Sequence, residues 1–243
     1  MRILLTISYD GTDFFGYQIQ PNKRTVEQTL NDAIFKITGE RVKSIASGRT
    51  DSGVHALCQK VHFDTETTIP PKSIAAALNT VLPEDVKVLS SKRVASTFNA
   101  RYSAKKKTYR YSLYFSTVEE PLQKRTKTLV KFPVDIDRIK EAAKVIEGEH
   151  DFKCFLASGS SVKDTVRTVY GIKVVKKGKN LDFYVTGNGF LYNMVRIIVG
   201  TLLSVGEGKI EKEDIVNALL TGERPQFFKT MPAKGLCLTS VTY

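Results

Sequence analysis

The order in which strand-like and helix-like patterns follow each other constrains the fold of this chain more than any other sequence feature. Residues 2–9 alternate apolar and polar side chains, as a half-buried strand does, and end in the turn signal Asp10-Gly11. Thr25 and Gln28 have the spacing of a capping box, and apolar residues then recur at helical spacing until Gly39. This start predicts a strand followed by a capped helix.

The next patterns complete one structural unit. Residues 42–46 and 60–63 are strand-like, Pro70-Pro71 opens a second helix that Pro83 closes, and residues 86–94 form another strand. The predicted order is therefore β-α-β-β-α-β, which is the ferredoxin-like arrangement.

The second half repeats this order less regularly. The pattern predicts a strand over 107–115, a helix over 135–148, a long polar loop over 148–165, a hairpin of 166–175 with 181–185, helices over 189–205 and 212–220, and a strand over 236–243. We therefore expect an α+β protein with two ferredoxin-like domains, residues 1–104 and 105–243, each with an antiparallel sheet.

The charge of the chain favours a polyanionic partner. Thirty-seven Lys and Arg against 25 Asp and Glu give a formal net charge of +12, and neutralised phosphates release condensed counterions. Nucleic acid is preferred to a membrane surface, because the clusters at 105–107 and 176–179 do not lie on an amphipathic anchor helix. Solvated loops or strand ends are the alternative for these clusters.

The sequence predicts no metal, cofactor, disulfide or membrane segment. Cys58, Cys154 and Cys237 are odd in number and far apart, and no metal-binding spacing, phosphate-binding loop or dinucleotide fingerprint occurs. The apolar start at residues 1–7 is too short for a signal peptide, and no apolar run approaches the length of a membrane helix. A cytoplasmic protein with reduced thiols is expected.

Asp51 lies in a short polar segment bounded by Gly48 and Gly53. Loops of this kind often carry function, because glycine permits backbone conformations closed to other residues. Arg49 is two residues away, so in an extended segment both side chains would face one side and could form an ion pair that keeps Asp51 ionised. The alternative is an ordinary surface turn, in which Asp51 or Ser52 bonds its own backbone.

Four segments carry a family resemblance. They are YDGTDFFGYQIQ at 9–20, GRTDSGVHA at 48–56, GNGFLYNMVR at 187–196 and AKGLCLTSVTY at 233–243. In this order they closely resemble the bacterial tRNA pseudouridine synthase A family, and the likeness runs from Ile3 to Tyr243. Tyr17 stands where the family usually has Trp, a departure that affects only local packing because Tyr keeps a large ring.

The resemblance implies a fold and an activity. The fold is the pseudouridine synthase fold, whose two halves have sheets that meet around a basic central cleft. The reaction isomerises uridine to pseudouridine at positions 38–40 of the tRNA anticodon stem-loop, without cofactor or metal. The implied partner is tRNA, and the implied oligomer is a homodimer.

The resemblance also implies the site. Asp51 is the nucleophile, with Arg49 and Arg196 as its cationic partners. Tyr109 stacks on the extruded base and helps to remove its proton, although a core tyrosine is the alternative. Tyr111, on the same face of the strand, is expected in the core.

Other residues are expected to contact the RNA or support the fold. Arg101 binds phosphate and Phe190 contacts the substrate. His55 and His62 have structural or RNA-contact roles, since a lone histidine is weak support for acid or base catalysis.

Two other classes fit part of the sequence. A non-catalytic RNA-binding module on ferredoxin-like halves would explain fold and charge, but the sequence lacks an aromatic-rich RNA-binding signature. Phosphoryl transfer through an aspartyl nucleophile would need an acidic metal-binding partner near Asp51, and the loop has none.

Overall fold

The computed structural model describes residues 1–160 and 162–243. It contains both helices and strands. Residue contacts divide the chain into one unit of residues 1–105 with 237–243 and another of residues 106–236. The predicted α+β class is confirmed. The loop expected over 148–165 includes position 161, which lies outside the described residues.

The first unit begins with β1 (Arg2–Tyr9), α1 (Val26–Thr38), β2 (Ile45–Ala46), β3 (His55–Asp64), α2 (Ile74–Asn79) and β4 (Val86–Val94). There follow β5 (Lys106–Phe115), β6 (Thr128–Val130), α3 (Ile136–Lys144), β7 (Gly148–Asp151), β8 (Val166–Lys177), β9 (Asn180–Gly187), α4 (Met194–Gly206), α5 (Lys212–Thr221) and β10 (Leu236–Thr242).

The sheet of the first unit has the ferredoxin-like strand order β4-β1-β3-β2. Strand β1 pairs antiparallel with both β3 and β4, and β2 pairs antiparallel with β3. Alternate residues of β1, namely Ile3, Leu5 and Ile7, are fully buried, as the alternating pattern predicts for a strand with one face on the core.

By its contacts the C-terminal strand is grouped with the first unit, and the domain bounds 1–104 and 105–243 stay a prediction. Cys237 and Leu238 pair in parallel with His55 and Ala56 of β3. The Tyr243 hydroxyl donates to the Ala100 carbonyl oxygen at 3.1 Å, and its ring lies 4.8 Å from that of Phe98. Backbone pairing and ring packing therefore hold these residues to the first unit.

Helix α1 is capped at both ends by the residues that the sequence indicates. The Thr25 side chain accepts from the Gln28 amide, and Gly39 ends the helix at φ +76°. The capping box is only half formed, because the Gln28 side chain donates to Asp32 instead.

Strands β1 and β4 have the predicted bounds, whereas three other elements of the first unit differ from the prediction. Helix α2 is six residues long and stops at Asn79, four residues before Pro83, which was expected to close it. Strand β2 has only two residues, and β3 begins at His55 rather than at 60. The segment around Asp51 is therefore a short connection between two strands.

The second unit has the strand order β7-β8-β9-β5, and β6 pairs with β5. Helix α3 packs against α4. Helix α4 starts at Met194 rather than at 189, because Asn193 has a left-handed backbone conformation (φ 60°) that interrupts helical geometry. Phe190 and Leu191 consequently lie before the helix, not on it.

Candidate active site

The Asp51 loop, residues 47–54 between β2 and β3, is an irregular segment. The chain bends at Ser47 and Gly48 and turns at Ser52 and Gly53, where Gly53 has φ +77°. The Val54 amide donates to the Asp51 carbonyl oxygen at 3.1 Å and closes this turn. Glycine at 53 suits the loop because a side chain would be strained at this φ.

Gln59 holds the beginning of the loop. This fully buried side chain accepts from the Ser47 hydroxyl at 2.5 Å and donates to the Gly48 carbonyl oxygen at 2.7 Å. The Ser47 amide also donates to the Lys60 carbonyl oxygen at 2.7 Å. Buried bonds of this kind are costly to break, so the loop enters its turn from a fixed position.

The segment between β1 and α1 packs directly against the Asp51 loop. The Phe14 carbonyl oxygen accepts from the Gly53 amide at 3.3 Å and from the Ser52 hydroxyl at 3.2 Å. The Tyr17 amide donates to the Thr50 carbonyl oxygen at 3.0 Å. Two motifs that are separate in sequence thus pack against each other.

Two glycines make this close approach possible. A Cβ atom on Gly11 would lie 2.0 Å from the Val54 carbonyl oxygen. One on Gly16, where φ is +88°, would lie 2.8 Å from the Thr50 carbonyl oxygen and 3.3 Å from the Asp51 carbonyl carbon. Sequence reasoning recognised neither role, since the only signal was two glycines around an aromatic pair.

Two buried tyrosines support the loop from below. The Tyr9 and Thr50 hydroxyl oxygens are 2.8 Å apart, and Tyr17 is 2% exposed. Burial raises the pKa of both phenols, that of Tyr17 well above its ordinary value. Both phenols therefore remain neutral.

Arg49 and Asp51 differ in exposure and do not lie on a regular strand. Asp51 is half-buried, whereas the Arg49 side chain is exposed. The expectation of an ion pair assumed an extended segment, in which residues 49 and 51 share a face. Residues 49–51 instead lie in an irregular segment between the bend at 47–48 and the turn at 52–53, and the pairing of these two side chains stays a prediction.

His55 and His62 are both buried and both accept backbone hydrogen bonds. His55 Nδ1 accepts from the Gly11 amide at 3.0 Å and lies 3.1 Å from Asp10 Oδ1. His62 Nδ1 accepts from the Ala100 amide at 3.1 Å. His55 is 6% exposed and His62 is 2% exposed, and the choice between a structural and an RNA-contact role stays a prediction.

Arg101 projects from a tight turn in the first unit. Asn99 Oδ1 accepts from the amides of Arg101 and Tyr102 at 2.9 and 3.1 Å. Both side chains are exposed, and the Arg101 guanidinium lies 5.6 Å from the centre of the Tyr102 ring. Tyr102 is 79% exposed, and the sequence analysis did not single it out because it has no flanking pattern.

Tyr109 and Phe190 form an aromatic pair within the second unit. Their ring centres are 5.4 Å apart and the rings are nearly perpendicular, at 86°. Tyr111 is fully buried, and its hydroxyl donates to the Pro232 carbonyl oxygen at 2.8 Å. The prediction that Tyr111 belongs to the core is confirmed.

Arg196 is the one residue of α4 that is not buried. Its Nε donates to the Met231 carbonyl oxygen at 2.6 Å, and its Nη1 donates to Asn193 Oδ1 at 2.5 Å. A cation in an apolar helix needs such partners, because an unpaired buried charge is costly. These bonds hold the guanidinium at the N-terminal turn of the helix.

Comparison with known proteins identifies the family. The sequence matches the profile described as tRNA pseudouridine synthase over residues 5–103 and 142–243. The tRNA pseudouridine synthase A of Caldicellulosiruptor bescii is 44% identical over 242 residues, which cover 100% of this chain and 99% of that protein. The protein of the same name from Bacillus licheniformis is 43% identical over 245 residues, with coverages of 100% and 99%.

These matches place the chain in the class of pseudouridine synthases, which are isomerases. Within that class it belongs to the tRNA pseudouridine synthase family. A solved structure, the archaeal box H/ACA sRNP Nop10-Cbf5 complex, is similar at a TM-score of 0.39 and 15% identity, over 83% of this chain and 43% of that one. A likeness this weak supports no functional argument.

Neither a membrane-spanning helix nor a metal-binding cluster occurs within residues 1–160 and 162–243. No helix in this part of the chain combines the length and apolar character that crossing a bilayer requires. Nor do three His, Cys, Asp or Glu side chains come together there in a group able to hold a metal ion.

Proposed function

We propose that this protein converts uridine to pseudouridine at positions 38–40 of the tRNA anticodon arm, with Asp51 as the nucleophile. The observation that carries the proposal is the construction of the Asp51 loop. Its backbone is bonded to Gln59 at one end and to Phe14 and Tyr17 along its length. A nucleophile must be held close to its productive position, and buried bonds to neighbouring elements achieve this.

The reaction rearranges bonds without adding a group. The Asp51 carboxylate forms a transient covalent bond that holds the intermediate while the glycosidic bond breaks. The base turns, its carbon 5 bonds to the sugar, and the bond to Asp51 breaks. The proton on carbon 5 leaves, and the ring nitrogen that was freed from the sugar takes up a proton. Neither a redox change nor an added nucleotide is required.

Other residues are assigned roles by their chemistry. We propose that Arg49, whose side chain is exposed, pairs with Asp51 in the tRNA complex and keeps the carboxylate ionised. Tyr109 stacks on the extruded base and assists proton removal, and Phe190 supports the Tyr109 ring through their perpendicular contact. Arg196 supplies positive charge for the reaction, and Arg101, on an exposed turn, binds phosphate.

The nucleophile is tested by release of tritium from tRNA that carries 5-tritiated uridine. Asp51→Ala and Asp51→Asn are expected to abolish release while tRNA affinity stays within a few-fold, since phosphate contacts dominate affinity. Asp137→Ala, which removes an exposed carboxylate of α3, is the matched control and should retain full activity. Residual turnover of Asp51→Ala above about one part in a thousand would exclude Asp51 as the nucleophile.

The target positions are tested by mapping pseudouridine in variant anticodon arms. Contacts of Lys and Arg with the RNA backbone, and stacking on a base, both tolerate changes in the RNA sequence. Arms with swapped flanking base pairs should therefore remain substrates, whereas arms with a stem shortened by one pair should not. Loss of activity on the swapped arms alone would show direct base readout, in which each wrong contact costs about 1–3 kcal/mol.

We further propose a homodimer that works in the cytoplasm. The support is the family resemblance of the whole chain. Light scattering at the concentration used for the activity assay measures the oligomeric state, and a monomer would contradict the proposal.

A further inference from the structure

Phe15 presents an aromatic ring to solvent on a segment that is otherwise firmly bonded. The side chain is 46% exposed, although its backbone amide donates to the Arg24 carbonyl oxygen at 2.9 Å. The Gln20 side-chain amide donates to the Phe15 carbonyl oxygen at 2.7 Å. The backbone of Phe15 is therefore fixed, while its ring is accessible to a ligand.

A cation lies over this ring. The Lys23 ammonium is 4.3 Å from the ring centre of Phe15 and is itself exposed. Ile19, 44% exposed, belongs to the same short segment. We call Phe15, Ile19 and Lys23 together the Phe15 platform. Flat aromatic surface combined with positive charge is the chemistry that binds single-stranded nucleic acid.

The platform is directly connected to the Asp51 loop. Phe14, the preceding residue, accepts the hydrogen bonds of Gly53 and Ser52. Gly16, the following residue, approaches Thr50 and Asp51 so closely that it has no room for a Cβ atom. Since consecutive Cα atoms are about 3.8 Å apart, the Phe15 backbone lies within about 10 Å of the loop.

A single exposed apolar side chain needs no functional explanation. Phe15 is different because the residues on both sides of it hold the proposed catalytic loop in place. An extruded uridine leaves its neighbours in the tRNA without a stacking partner, and extrusion costs a few kcal/mol. A ring fixed beside the loop can replace the lost stacking.

We propose that the Phe15 platform binds a nucleotide next to the extruded uridine. Its phosphate draws the Lys23 ammonium away from the Phe15 ring, and its base stacks on the ring face that Lys23 leaves. The inference rests on the proposed placement of catalysis at Asp51. Bound in this way, the neighbouring nucleotide is held in place, so that the target uridine attached to it can reach the Asp51 loop.

The first experiment measures tRNA affinity and kcat/KM for Phe15→Ala, Phe15→Leu and Phe15→Trp. Stacking on an aromatic ring predicts an affinity loss of about five- to a hundredfold for Ala. Leu, which keeps apolar bulk without a ring face, should lose nearly as much, and Trp should stay within about threefold. Unfolding midpoints of the same variants show whether each is folded.

Phe35→Ala is the matched control. Phe35 is 41% exposed, has the Arg41 guanidinium 4.8 Å from its ring centre, and belongs to the same unit. It lies nine residues beyond Val26, whose amide bonds to Gly16, and so about 14 Å along the helix from that end. Phe35→Ala should leave both affinity and kcat/KM unchanged.

The second experiment places an abasic nucleotide at each position beside the target uridine in turn. At the position that stacks on the ring, removal of the base should weaken binding to the wild type but not to Phe15→Ala, as expected for two coupled groups. Additive losses at every position would overturn the proposal. So would Leu matching the wild type, or Phe35→Ala matching Phe15→Ala. Because affinity is measured directly, these outcomes remain distinct from a failure of Asp51 as the nucleophile.

Discussion

Gly16 carries two constraints that are unrelated chemically. Its φ of +88° is a conformation that residues with a side chain rarely adopt, and its missing Cβ leaves space for the backbone of Thr50 and Asp51. The first constraint is a property of the residue itself, and the second depends on a neighbour that is distant in sequence. The two constraints can be separated by comparing Gly16 with a glycine that has a similar φ but open space around it.

We expect Gly16→Ala to lower both stability and turnover. Backbone strain alone should cost about 1 kcal/mol or more, and displacement of the Asp51 loop should lower kcat further. Gly39→Ala is the control, because Gly39 has a similar φ of +76° and a Cβ atom added there would meet nothing within 4 Å. It should lose stability and keep kcat. Equal kcat values for the two variants, measured by tritium release, would contradict a positioning role for Gly16.

The environment of His62 predicts that the stability of the fold decreases in acid. Burial lowers its pKa from the ordinary value of 6.5, and the Arg2 guanidinium lowers it further. Below about pH 6.5 the unfolded chain therefore binds more protons at this position than the native one does, so the free energy of unfolding falls as the pH decreases. His62→Asn, which keeps an acceptor for the Ala100 amide, should show a shallower fall between about pH 6.5 and 5 in urea titrations. Parallel curves for the two proteins would exclude this contribution.

At the level of elements, helix α4 is contacted along one face by the segment of residues 227–231. Arg196, Gly200 and Ser204 are spaced by four and lie on one face of the helix. Arg196 exchanges backbone and side-chain bonds with Met231, and the Ser204 hydroxyl donates to the Phe227 carbonyl oxygen at 3.1 Å. Between them, a Cβ atom on Gly200 would lie 2.0 Å from the Lys229 carbonyl oxygen.

Gly200→Ala should therefore destabilise the protein, although Ala is the better helix former. In an open helix the change would stabilise by about 0.5–1 kcal/mol, whereas a clash with backbone should cost about 1–3 kcal/mol. Turnover should fall as well, because the displaced segment carries the Met231 partner of Arg196. Gly178→Ala, in a hairpin with open space around it, should keep its turnover. A raised unfolding midpoint for Gly200→Ala would refute this account of the helix.

How much of each element could be predicted depends on where its determinants lie. Helix α1 was predictable at both ends because Thr25 and Gly39 act on their own backbone. The start of α4 was not, since periodicity continued through Leu191 while Asn193 adopted a left-handed conformation. The Asp51 loop was recognisable from its composition. Its packing against Gly11 and Gly16 was not, because local patterns contain no information about partners distant in sequence.

On the scale of the whole molecule, the formal net charge of +12 is the dominant property. It follows from the sequence alone, and its consequence for a tRNA substrate follows from counterion release. Phosphate contacts release counterions, whereas the base stacking proposed for Phe15 and Tyr109 does not. The two contributions can therefore be separated by their response to ionic strength.

We expect the logarithm of tRNA affinity to fall linearly with the logarithm of salt concentration, with a slope that reports several phosphate contacts. Six to ten such contacts would weaken binding by roughly 10³–10⁵ between about 50 and 200 mM salt. Arg101→Ala should reduce the slope by about one contact, since it removes a proposed phosphate ligand. Phe15→Ala should weaken binding at every salt concentration and leave the slope unchanged, because stacking releases no counterions. Filter binding across this range measures all three proteins, and a flat response of the wild type would mean that its positive charge does not contact the tRNA backbone.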